Sequence, residues 1–149
     1  MSDDAIARLQ AAALKAREFT HEVGERTYTL RVPTRTERFQ VLHRHGLSTV
    51  TGATLWLQMT YLLQEAIVGW TGVRERDVVP GAGSDPLPWS APAVALLLDA
   101  LDDDRDQLGL ELDKRIGARE GRLEEDAKNS RPESSGPASP TSADSTATG

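Results

Sequence analysis

Near the N-terminus, apolar residues recur at helical spacing: Ile6, Leu9, Ala13 and Leu14. Ser2 stands where an N-cap belongs, and Asp3 and Asp4 fall in the first turn, where the helix dipole favours negative charge. A helix over 3–17 is predicted. From Phe19 the period drops to two: Phe19, His21 and Val23, then Tyr28, Leu30 and Val32, alternate with polar residues around a Gly24-Glu25 turn of the II′ kind. This predicts a hairpin over 19–32 with one apolar face.

Pro33 cannot donate to a ladder, and Thr34-Arg35-Thr36-Glu37 has the form of a capping box, so the next helix is expected to begin at Arg35. Phe39 and Leu42 are expected to face inward along it, and Gly46 suits the left-handed position that ends it. A more apolar helix follows, from Thr51 or Thr54 to Val68, with Leu55, Met59, Leu62, Leu63, Ala66 and Ile67 as its stripe. Trp56, Leu57 and Tyr61 lie off that stripe. A helix apolar on more than one side belongs at the centre of a fold.

Gly69-Trp70-Thr71-Gly72 is expected to break this helix, and a loop dense in Pro and Gly runs from Arg74 to Pro88. Connections of this length are usually functional or mobile. Ser90 then caps a helix with Pro92 in its first turn and Val94, Leu97, Leu98 and Leu101 on its face. Asp102, Asp103 and Asp104 open a last helix in which Leu108, Leu112, Ile116 and Leu123 recur. Gly109, Gly117 and Gly121 weaken its interior. The expected fold is α+β and mainly α, one N-terminal β-hairpin with about five helices in a single domain over 1–126. Residues 127–149 have no aliphatic side chain larger than alanine and no aromatic, so a disordered Ser/Thr/Pro-rich tail is expected there.

Charge sharpens this reading. Of the net −6, nothing comes from residues 1–98, which hold 10 basic and 10 acidic side chains, whereas residues 99–126 hold 5 and 11. A neutral body with an acidic end lacks the clustered positive face that a phosphate backbone requires, so no nucleic-acid partner is expected. With no cysteine there is neither a disulfide framework nor a thiolate metal site. The N-terminus has no basic and apolar regions of a secretory signal, and Gln58, Thr60, Gln64 and Glu65 interrupt the most apolar stretch. No membrane partner is expected.

Candidate chemistry is sparse. His43 and His45 are two apart on a helix and point to different sides, and His21 lies on a distant strand, so a zinc site is disfavoured. Asp102, Asp104 and Asp106 mimic a calcium loop, but Gln107 and Asp113 occupy the positions of its glycine and closing glutamate. Helix-start acids explain them better. No nucleophile elbow, P-loop, dinucleotide turn or H-E-x-x-H pair occurs, and Gly81-Ala82-Gly83-Ser84 precedes no helix start of the phosphate-binding kind. No catalytic residue, metal or cofactor is expected. Trp70 and Trp89 flank the long loop, where they cap the core, anchor a partner, or do both, tryptophan being enriched at interface hot spots. Leu55, Met59, Leu62, Leu63, Ile67, Trp70 and Trp89 are therefore the candidate partner-binding residues.

The order of parts carries a resemblance: a hairpin ending in Tyr28-Thr29-Leu30-Arg31-Val32-Pro33-Thr34, a charged helix start, an apolar helix closing in Ile67-Val68-Gly69-Trp70-Thr71-Gly72-Val73, and an acidic helical end. Over residues 19–120 the chain resembles the tail assembly chaperones of siphovirus-type phages and prophages. The resemblance implies a non-enzymatic protein of the host cytoplasm, not retained in the mature virion. It would bind the tape measure protein, keep it soluble, and recruit the major tail tube protein, with self-association as a further expectation. It also implies a longer form made by programmed ribosomal frameshifting. Ala127-Lys128-Asn129 is codable as GCA-AAA-AAC, which contains a slippery heptamer, and AAG at Lys128 would remove it.

Two other classes stand beside this one. A structural tail or head-tail connector component would be found by mass spectrometry of purified particles. An acidic regulatory or antitoxin-like adaptor would carry a basic DNA-reading helix, which this sequence does not offer.

Overall fold

The computed structural model describes residues 2–47 and 52–129. The expected tail falls largely at 130–149, outside the described residues, as does the alternative helix start at Thr51. The elements follow the order α1 (Asp3–Ala16), β1 (Glu18–Val23), β2 (Arg26–Arg31), α2 (Arg35–Arg44), α3 (Gly52–Ala66), β3 (Ile67–Thr71), α4 (Glu75–Val78), α5 (Ala91–Ala100) and α6 (Asp102–Asn129). The fold is α+β and mainly α, as expected. Its compact units are Met1–Arg115 and Ile116–Gly149. The boundary expected at 126 lies inside α6.

Local chemistry sets most element ends. The Ser2 hydroxyl accepts the Ala5 N–H at 3.3 Å, and the Ser90 hydroxyl accepts that of Ala93 at 3.2 Å. At α2 both halves of the capping box form: Thr34 Oγ1 accepts from the Glu37 N–H at 3.1 Å, and Glu37 Oε1 accepts from the Thr34 N–H at 2.9 Å. Gly46, at φ +71, ends α2 with Leu47 N–H donating to the Leu42 carbonyl, the Schellman arrangement. Phe39 does not turn inward: it is 66% exposed, and Val41, two residues on and about 200° round the helix, is the buried residue of α2.

The hairpin acquires a third strand. The sheet order is β1-β2-β3, antiparallel throughout. Thus Ile67 and Val68 do not continue the helix, and Gly69 to Thr71 do not break it. They pair with β2, Tyr28 opposite Trp70 and Leu30 opposite Ile67, with Val68 the extra residue of a bulge. The reason is physical: β1 satisfies one edge of β2, the other edge needs partners, and β-branched and aromatic residues suit a strand. The ring of Tyr28 meets that of Trp70 edge to face, centroids 6.3 Å apart.

The inner sheet face supplies the buried Phe19, Tyr28, Leu30 and Ile67. The helices add Leu63 from α3, Val94, Leu97 and Leu98 from α5, and Leu108 and Leu112 from α6. Leu63 is fully buried and α3 packs against α2, α5 and β3, but Leu55 and Trp56 stay exposed, so the helix is covered on one side only and not surrounded as its apolar character predicts. No described helix is long and apolar enough to cross a membrane.

The segment from Arg74 to Pro88 is a closed loop built on the single turn of α4. Glu75 N–H donates to the Asp85 carbonyl, Arg76 N–H to that of Gly83, and Leu87 N–H to that of Val73. The two indoles fasten it to β3: Trp70 Nε1 donates to the Leu87 carbonyl at 2.7 Å, and Trp89 Nε1 to the Ile67 carbonyl at 3.1 Å. Between β3 and this loop sits Gly72 at φ +80, where a Cβ would overlap the Glu25 carbonyl oxygen. Gly72→Ala is expected to cost about 3 kcal/mol, combining a strained φ with overpacking against backbone that has no rotamer to yield. Urea denaturation of the two proteins measures it.

In the second unit the described residues 116–129 are helical, with Arg119 and Glu120 ion-paired at 3.6 Å and Leu123 exposed.

Candidate partner-binding groove

The seven residues singled out from sequence separate in space. Leu62, Leu63 and Ile67 are core residues, at most 7% exposed, and are closed to a partner. Trp70 belongs to the sheet. Trp89 is 42% exposed, but its indole N–H is spent on β3. Leu55 and Met59 come together in one place: an open groove of about 570 Å³ between α3 and α6.

The groove walls are Leu55, Trp56 and Met59 from α3 and Gly109 and Leu110 from α6, with Arg105, Asp106 and Asp113 at its rim. Leu55, Trp56 and Leu110 are 57%, 50% and 75% exposed. Three large apolar side chains left open around one groove make it the candidate contact surface of the described residues. Gly109 makes the floor. A Cβ there would lie 2.9 Å from Met59 Cγ, so glycine lets the two helices approach. What looked from sequence like a weak point in α6 is a close-packing position.

The rotation of α6 is fixed by Asp104, a buried carboxylate at 2% exposure. Arg26 grips it with two parallel bonds, Nε to Oδ2 at 2.6 Å and Nη2 to Oδ1 at 2.8 Å, and the Tyr28 hydroxyl donates to Oδ2 at 2.5 Å. Such bidentate pairing sets orientation as well as energy. Burial first, and then the hydrogen bond to Asp104, hold the Tyr28 phenol well above the usual tyrosine range. Arg26 also approaches Asp77 of α4 at 3.7 Å, so one guanidinium links the hairpin, the closed loop and α6.

With Asp104 turned inward, the neighbouring Arg105 turns to the groove. Its guanidinium lies 4.6 Å over the Trp56 ring and is held by Asp102 at 3.1 Å and Asp106 at 3.4 Å. The indole is thereby held in place, one of its faces covered by the guanidinium. Arg105 Nε is buried without a hydrogen-bond partner among the described residues.

Of the acids at 102, 104 and 106, the first and last meet on Arg105, whereas Asp104 turns inward to Arg26 and Tyr28. His45 lies flat on the Tyr61 ring, centroids 3.7 Å apart, with His43 left on the exposed side of α2. Among the described residues no three side chains of the metal-binding types converge. A second hollow of about 260 Å³, beside α2, is lined by charges that already pair: Arg44 with Glu65, Arg31 with Glu18, and Glu37 with Arg17.

Sequence reasoning missed Leu110, Trp56 and Arg105. Trp56 and Leu110 each lie off the apolar stripe of their helix, and that was the available signal: a large apolar residue outside a core-facing stripe has to face something else. Comparison of the chain with protein-family models, with curated proteins and with solved structures gives no match.

Proposed function

We propose that the chain is a non-enzymatic tail assembly chaperone that holds an amphipathic helix of the tape measure protein in the groove between α3 and α6. The observation that carries this reading is the groove itself, with Leu55, Trp56 and Leu110 open to solvent over a glycine floor. A tape measure is a very long helical chain whose apolar stripes have no partner until the tail tube encloses them. A helix laid into an apolar groove is a recurring recognition mode, and its modest contact suits reversible holding. The resemblance in the order of parts supports the same client. The excess of acidic side chains over residues 99–126 supports solubility of the complex.

On this proposal the chain acts in the host cytoplasm, passes its client to the tail tube protein, and is absent from the finished particle. Co-expression with a tape measure protein, the client this proposal requires, is the test. The expected outcome is a soluble, co-purifying complex. A tape measure protein that stays insoluble, or purifies alone, sinks the proposal.

A further inference from the structure

The groove between α3 and α6 has two unlike walls. On α3, Leu55, Trp56, Met59 and Thr60 carry no charge, and the Thr60 hydroxyl already donates to the Trp56 carbonyl at 3.0 Å. That wall is apolar and neutral. On α6, Asp106, Leu110 and Asp113 stand at i, i+4 and i+7, which puts them on one face of the helix, and all three are exposed. Two acids bracket the leucine.

Arg105 is the one cation among the described lining residues, and it does not balance them. Its side chain is 13% exposed against 63% for Asp106. Its guanidinium lies on the Trp56 ring and is shared between Asp102 at 3.1 Å and Asp106 at 3.4 Å. Two carboxylates on one guanidinium leave a negative charge over, and Asp113 makes no ion pair among the described residues. The α6 wall is therefore negative where a partner would meet it.

We infer that the groove selects a helix that is basic along one border only: Lys or Arg at two positions seven apart, facing Asp106 and Asp113, with apolar residues laid on Leu110, Trp56 and Leu55. Seven residues rise about 10.5 Å in either helix, so the two spacings match where the helices run side by side. Charge arranged in this way fixes register and orientation more than it adds affinity. Turning such a helix end for end carries its basic border to α3, where no charge meets it, so the groove accepts one polarity. This selectivity rests on the reading of the groove as a helix site, and not on which protein supplies the helix.

Three synthetic helices with one apolar stripe, differing only in Lys, Gln or Glu at two border positions seven apart, test it against the full chain. At low salt the Lys helix is expected to bind at least about tenfold more tightly than the Glu helix, two exposed attractions having replaced two repulsions, and the gap should shrink as salt rises. In the Asp106→Asn/Asp113→Asn protein the gap should close to about twofold. In Glu22→Gln/Glu25→Gln, which removes the same charge from exposed positions on the hairpin, it should persist. Asp113→Asn alone breaks no ion pair, so it keeps the test sound if the double variant loosens Arg105, and it too should narrow the gap.

A gap that survives both asparagines, equal binding of all three helices, or no binding of any helix overturns the inference. So does a groove filled by a second copy, seen as a doubled mass that Leu110→Asp returns to that of one chain. If the tape measure protein is held as well by the asparagine variant as by the wild type, the basic border falls and the holding function stands. A Lys helix bound selectively by a chain that does not hold the tape measure protein gives the reverse.

Discussion

Replacing Asp104 with alanine is expected to lower the free energy of unfolding by about 3 kcal/mol, because it takes the bidentate acceptor from a half-buried Arg26, which keeps only the longer approach to Asp77. Arg26 is 22% exposed at the side chain, Asp104 only 2%, and the Tyr28 hydroxyl loses its acceptor in the same step. Urea denaturation should show the shift in midpoint. Paired with Arg26→Met in a double-mutant cycle, the loss should be far from additive, since the two side chains make one contact.

The same cluster gives a pH dependence of known sign. The folded Tyr28 phenol is held above its usual range, so its contribution is fully present below the ordinary tyrosine value of about 10. Above that value the unfolded chain ionises Tyr28 while the folded chain keeps it neutral. Stability therefore falls as pH rises beyond about 10, and Tyr28→Phe should flatten that fall.

On the proposed function, Trp56→Ala is expected to weaken binding of the tape measure protein at least about 30-fold, the loss typical of a truncated tryptophan hot spot. The fold should tolerate it. Trp56 is half exposed, and what it loses within the chain is chiefly the guanidinium of Arg105 over its ring. Titration of the wild-type and Trp56→Ala proteins against one tape measure fragment, with thermal melts beside them, separates lost binding from lost structure. A lowered melting temperature that accounts for the lost affinity would make the effect of Trp56 one of structure and not of contact.

These expectations differ in how far the sequence foretold them. Ser2, Thr34 with Glu37, Gly46 and Ser90 were legible because a cap is written within a few residues of the backbone it serves. The third strand was not. Leu62, Leu63, Ala66 and Ile67 satisfy a helical period, and an unbroken apolar run hides the residue at which the period changes. The edge of β2 that selects a strand there lies more than thirty residues earlier in the chain.

Asp104 shows the same limit from the other side. It stands at i of the i, i+4, i+8 set with Leu108 and Leu112, so its inward place was on the page, but its charge made it read as a solvated helix start. Its partner Arg26 is 78 residues away, and no local rule connects them. The groove was half legible for a related reason. Leu55 and Met59 were chosen for being apolar, a criterion that equally selects core residues such as Leu63. Trp56 and Leu110 are distinguished by lying off their stripes, which identifies a second apolar face without saying what will meet it.

The central claim is that α3 and α6 together hold the client. Hydrogen–deuterium exchange on the chain, alone and in complex with the tape measure protein, addresses it directly. Added protection at residues 55–60 and 105–113 is the predicted result. Protection confined to residues 74–88, or to the β1 edge of the sheet, would contradict it.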